Sequence, residues 1–260
     1  MKNKISFFKK YFFCVALLFS QVTIALPIPP IETVAHWAVA GGIPFIQSSL
    51  ALLWAKHEKL ADLCNVGYIE CSNTELVTFM KSVLDEIGLN AQEISIKKWK
   101  SNTGTLGVMH NNLIVINERF CLLLSKEELR GVLAHEAAHI INNDVNKRIY
   151  AGMLLTPLIH LGCRCAAYVG KLPYSLSPST GLFEFLINRL LLLIYARFQE
   201  KNADLTVAKL LPDAIPGLIK SFANLHVIHD GNDYFDITHP LFSTRIAYLK
   251  EALKKLQKKE

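Results

Sequence analysis

The sequence predicts a mainly helical (α+β) chain with a small β-sheet, and three observations lead there. Apolar residues make up 51% of the 260 and recur at helical spacing through most of the chain past residue 60. Only Glu93 to Trp99 and Leu113 to Ile116 read as strands, β-branched and aromatic residues set between turn signals. Charged residues amount to 19%, below the roughly 25% usual for a globular domain, which excludes both disorder and a highly charged nucleic-acid binder. The net charge of +6 does not restore nucleic acid as a partner, because Lys2, Lys4, Lys9 and Lys10 supply four charges and leave +2 (6 − 4) for the rest.

Those lysines precede an aromatic and aliphatic run, Tyr11 to Phe19, after which Ser20, Gln21 and Thr23 dilute the apolarity and Thr23-Ile24-Ala25 resembles a small-residue cleavage site. That is the order of a secretory signal. Residues 1–25 are therefore expected to be a signal peptide or, because Tyr11 to Ile28 carries no charge, an uncleaved N-terminal anchor. Either way the chain is expected to be exported, to a bacterial periplasm or cell envelope. Residues 26–70 form a second apolar segment, read as helical. Within it Trp37 to Ala55 is uncharged and bears tryptophans near both ends, as a membrane span would, while Gly41-Gly42-Ile43-Pro44 breaks it into two short buried helices on the alternative reading. Membrane association stays open. Cys64 and Cys71 flank a polar stretch that a short disulfide could close, although the odd number of cysteines left after Cys14 argues against a disulfide framework.

Residues 71–260 carry the remaining elements. Glu75 to Ile87 is an amphipathic helix with Ser72, Asn73 and Thr74 as candidate caps and Gly88 as its stop. The two strands are separated by the turn-rich Ser101-Asn102-Thr103-Gly104 and Asn111-Asn112. Ser125-Lys126-Glu127-Glu128 is a capping box, in which a hydroxyl and a carboxylate each satisfy the other residue's backbone N–H, and it opens a helix running to about Val145. Ile149 to Val169 contains His160 and Arg164, and Gly181 to Ala196 contains Glu184 and Arg189, so both read as buried or membrane-surface helices rather than spans. Leu172 to Thr180 is a loop between them, and Arg245 to Lys259 is a basic amphipathic last helix.

The chemistry lies on the capped helix. His135-Glu136-Ala137-Ala138-His139 puts two imidazoles at i and i+4 on one face, where both can bind one zinc ion. Glu136 is placed to take a proton from water at that ion as general base. A catalytic zinc needs a third protein ligand and an open position. Downstream, Glu200 and Asp204 are four residues apart on one helical face. Glu200 would be the third ligand and Asp204 the acceptor for the free N–H of a ligand histidine; spacing alone equally allows two solvent-facing acids at a helix end.

The segment His135 to His139 followed by Asp144, the run Arg197-Phe198-Gln199-Glu200-Lys201-Asn202-Ala203-Asp204, and Thr238-His239-Pro240 with Arg245-Ile246 together resemble the HtpX and CAAX-prenyl-protease type family of zinc metallopeptidases. The resemblance covers about residues 70 to 252. It implies a zincin-like domain of the gluzincin kind, holding one Zn2+ on His135, His139 and Glu200, with Glu136 as base and Asp204 behind the ligands. It also implies a catalytic role for His239, stabilising a developing oxyanion, and ion-pair roles for Arg197 and Arg245. The expected activity is endoproteolysis of polypeptides, by resemblance misfolded or surplus envelope proteins, with Leu113 to Ile116 as the edge strand that takes the substrate. The alternative is a noncatalytic chaperone or assembly factor that keeps the zinc-protease fold.

Overall fold

The computed structural model describes residues 68–99, 107–110, 112–169, 178–228 and 239–257. The expectations for residues 1–25, for Trp37 to Ala55, for Cys64 and for residues 172–177 of the loop lie outside them; Cys71 carries a free thiol. The first helix among the described residues is the one its sequence signals predict. Helix α1 (Thr74–Glu86) is capped by the Asn73 side chain, which accepts from the Leu76 N–H at 3.0 Å, and it buries Leu76, Met80, Val83 and Leu84 on one face. Gly88, at φ 93°, turns the chain away in a conformation that side chains disfavour.

The sheet has four strands, where the sequence reading gave two. β1 (Tyr68–Glu70), β2 (Ser95–Trp99), β3 (Gly107–His110) and β4 (Leu113–Ile116) stand in the order β1-β2-β4-β3, with β2 and β4 parallel and the outer pairings antiparallel. β2 starts at Ser95 because Ala91–Glu93 forms a 3-10 turn capped by Asn90. The expectation that Leu113 to Ile116 is an edge strand is corrected: β4 is paired on both sides, and among the described residues β1 and β3 are the edges. The physical reason is legible in the side chains. Ile114 and Ile116 face the main core while Leu113 and Val115 pack with Tyr68 and Trp99 on the other face, so all four are buried. A strand covered on both faces reads as a continuous apolar run, and an edge strand does not.

Helix α2 (Glu118–Leu123) leads into α3 (Lys126–Ile141), whose capping box is present: the Glu128 carboxylate accepts from the Ser125 N–H at 2.8 Å, and the Ser125 hydroxyl accepts from the Glu128 N–H at 3.3 Å. α3 runs through the core, with Leu133 to His139 all buried. It crosses α6 (Ile215–Ile228) at backbone contact. A Cβ on Gly131 would lie 2.3 Å from the Leu218 nitrogen, and one on Gly217 would lie 2.0 Å from the Glu127 carbonyl oxygen, so only glycine fits at either position.

α3 stops at Ile141, four residues short of the expected Val145, because Asn142 and Asn143 form a turn with Asn143 at φ 56°. The chain then re-enters a helix at once as α4 (Asp144–Val169), which pairs with α5 (Pro178–Leu210). Two of the polar groups that argue against spans meet between these helices, His160 Nδ1 lying 2.9 Å from Glu184 Oε2; beside them Asn188 donates to Thr156 Oγ1 at 3.1 Å. Among the described residues no helix is long and apolar enough to cross a membrane. α5 continues past Asp204 to Leu210, and Pro212 follows its end. The last helix, α7 (Phe242–Gln257), packs on α5 and α6.

Candidate functional site

Three helices converge on one buried point. α3 brings His135 and His139, α5 brings Glu200 and Asp204, and α7 brings Arg245; each of these residues is at most 8% exposed. His135 Nε2 lies 3.2 Å from His139 Nε2 and 3.2 Å from Glu200 Oε2, and His139 Nε2 lies 3.3 Å from Glu200 Oε1. Donors bound to one tetrahedral ion at about 2.0–2.1 Å are themselves about 3.3 Å apart. The three groups thus stand at the corners such an ion requires, and they are the only group of this kind among the described residues.

The outer nitrogens test the fit. His135 Nδ1 is 2.8 Å from Asp204 Oδ1, and His139 Nδ1 is 2.9 Å from Asp144 Oδ2. With each Nδ1–H donated to a carboxylate, each Nε2, once it has given up its proton, presents a lone pair to the other and to the Glu200 carboxylate. Three acceptors facing inward in a buried site repel unless a cation lies between them, so the donor set fits a divalent metal ion.

Electrostatics follow from this crowding. Burial pushes the Glu200 carboxyl up, but hydrogen bonds from His135 and His139 outweigh it and hold the group well below its ordinary range. Burial likewise raises Asp204, yet Arg245 and His135 bring it down to about 2. Burial alone would depress His139; Asp144 and Glu200 raise it to about 10. Glu136 is pushed upward by burial, partly offset by His135 and His139.

The structure brings every predicted site residue to this place. Glu136, 9% exposed, has His135, His139, Glu200 and His239 as its electrostatic neighbours. His239 sits at the mouth, with 42% of its side chain exposed and Nε2 3.5 Å from Glu200 Oε2. Arg245 makes the expected ion pairs: Nε donates to Asp204 Oδ2 at 2.9 Å and a terminal nitrogen to Oδ1 at 2.8 Å, while the other terminal nitrogen lies 3.6 Å from Glu200. Asp144 has no role that its position in the sequence assigns. Its function depends on the Asn143 turn, which folds the start of α4 back onto His139; an acid just past an Asn-Asn pair was the available signal. The Gln199 amide then holds Asp144 in place by donating to its carbonyl oxygen at 2.8 Å, and Arg148 Nε donates to Gln199 Oε1 at 3.0 Å.

Comparison with known proteins agrees with this geometry. The chain is 26% identical over 200 residues to a protein named protease HtpX homolog in Neisseria meningitidis serogroup C, covering 62% of this chain and 71% of that protein, and equally to one in Neisseria gonorrhoeae. It is 23% identical over 206 residues to protease HtpX of Hahella chejuensis, covering 67% and 70%. The model of peptidase family M48 matches residues 70–253, a span containing every residue of the site just described, and this chain is accordingly a protease belonging to peptidase family M48.

Proposed function

We propose that the chain is a zinc-dependent endopeptidase. The observation that carries the proposal is the triangle of His135 Nε2, His139 Nε2 and the Glu200 carboxylate at 3.2–3.3 Å, with both outer imidazole nitrogens tied to carboxylates. His135, His139 and Glu200 would hold the ion, an N2O set that suits zinc. What zinc supplies when bound is Lewis acidity toward water and a peptide carbonyl. Glu136, raised by burial, takes the proton from the attacking water and delivers it to the leaving amine. His239, half exposed at the mouth, can donate to the carbonyl oxygen as negative charge develops there. Edge strand β3, which packs against α3, offers free backbone groups to an extended polypeptide, the role first expected of β4.

By resemblance the substrates are misfolded or surplus envelope proteins. We place the chain at a membrane surface of the envelope, supported by the exposed row Leu186, Leu190, Ile194 and Phe198 on α5 beside Tyr150, Leu154 and Leu161 on α4.

The decisive experiment is Glu136→Gln. It removes the base without touching a ligand, so zinc content stays near one per chain while cleavage of an unfolded polypeptide falls by about 10^2-fold or more. Cleavage at the unaltered rate would overturn the assignment.

A further inference from the structure

We propose that Tyr248 is a positioning residue for the metal site, and this rests on the reading of His135 as a ligand. The Tyr248 hydroxyl donates to Asp204 Oδ2. Asp204 is fully buried, and an ionised carboxylate has about four acceptor sites. Four donors fill them: His135 Nδ1 and an Arg245 terminal nitrogen on Oδ1, Arg245 Nε and Tyr248 on Oδ2. No site is left for water.

The four donors are not equivalent. His135 is a ligand, and the Arg245 guanidinium also reaches inward, one nitrogen lying 3.3 Å from each ring nitrogen of His135 and another 3.6 Å from Glu200. Arg245 therefore touches the ligands directly, while its guanidinium also stacks on the Phe222 ring, 4.0 Å from the centroid. Tyr248 makes none of those contacts. It stands three residues after Arg245 on the same face of α7, and its ring is covered from α5 by the Lys201 ammonium, 5.6 Å from the centroid. It thus fixes the outer oxygen of Asp204 to the α5 and α7 scaffold, and Asp204 fixes the tautomer and orientation of His135. Removing that one hydroxyl leaves a buried carboxylate oxygen short of a donor and loosens the hold of Asp204 on the His135 ring.

The test uses Tyr248→Phe in the full chain, which keeps the ring. Zinc-loaded protein is mixed with excess chromogenic chelator and zinc release is followed, alongside the visible bands of the cobalt-substituted protein and thermal unfolding of the metal-free form. Expected results are about tenfold faster release and shifted cobalt bands, with the metal-free chain still unfolding cooperatively. In an Asp204→Asn background the same substitution should add little, because its effect runs through that carboxylate. Release within twofold of the unaltered chain, or a full additional loss in the Asp204→Asn background, would overturn the inference. Loss of cooperative unfolding in metal-free Tyr248→Phe would also overturn it, assigning the hydroxyl to folding instead. An unaltered chain that binds no zinc would instead sink the reading of the site itself.

Discussion

On the proposed reading, a proton and a metal ion would compete for the same nitrogen of His139. Asp144 holds Nδ1, and with Glu200 it raises the imidazole to about 10, so in the metal-free chain Nε2 keeps a proton well above neutrality. The folded value lies above the unfolded value of about 6.5. The charged histidine therefore stabilises the metal-free fold fully below pH ~6.5, and that contribution is lost as the pH rises through about 10. Metal binding must displace the same proton, so affinity should rise over the same interval. Melting the chelator-treated chain from pH 6 to 10 should show a falling Tm, and competition titrations should show tightening zinc binding. Both slopes should flatten in Asp144→Asn, which removes the carboxylate charge but keeps the shape. Identical slopes in the two proteins would mean that Asp144 does not set the histidine's protonation.

Elements pack here in two different ways. α3 and α6 meet at backbone contact through Gly131 and Gly217, where a side chain on either would collide with the other helix. α4 and α5 are joined by inner polar links, His160 to Glu184 and Asn188 to Thr156, and turn large apolar side chains outward. Leu186, Leu190, Ile194 and Phe198 follow one another at four-residue spacing and are 47–58% exposed. Two charges in that row, Leu190→Glu with Ile194→Glu, should release the purified chain from anionic lipid vesicles in a flotation assay while leaving its melting unchanged; unchanged flotation would remove the membrane from the proposal. The difference between the two pairings was partly legible. Caps and stops are local, so α1, its Asn73 cap and the Ser125 capping box follow directly from neighbouring residues. β1 and β3, three and four residues long, have too few positions for alternation to register, and they exist because β2 and β4 offer them partners. The direction in which α4 and α5 face each other is likewise a tertiary fact, because their few polar residues do not fall on one face in the sequence pattern.

At the scale of the whole molecule, residues 135, 139, 144, 200, 204, 245 and 248 become one site only because three long helices and a turn converge. The pentad on α3 was legible because ligand geometry at i and i+4 is set by the helix itself. Glu200 was not fixed by spacing, since 61 residues separate it from His139 and only the fold closes that distance; the resemblance supplied it. Tyr248 was not legible at all, because its partner is chosen by how α7 seats on α5. A site assembled in this way would couple a bound ion to the stability of the whole domain. The ion would displace the proton that His139 and Glu200 otherwise share, attract all three groups, and tie α3 to α5. At zinc a thousandfold above its Kd, linkage adds about 4 kcal/mol to the folded state. For a domain of this size, roughly 2–4 °C of Tm accompany each kcal/mol, so chelation should lower the melting temperature by about 8–16 °C. Restoring zinc should return the original value, and calcium, which favours six to eight oxygen ligands, should not. His139→Ala should melt at one temperature with or without chelator, since a ligand pair lacks the third corner. A chelator-insensitive melt in the unaltered chain would show that no ion holds these helices together.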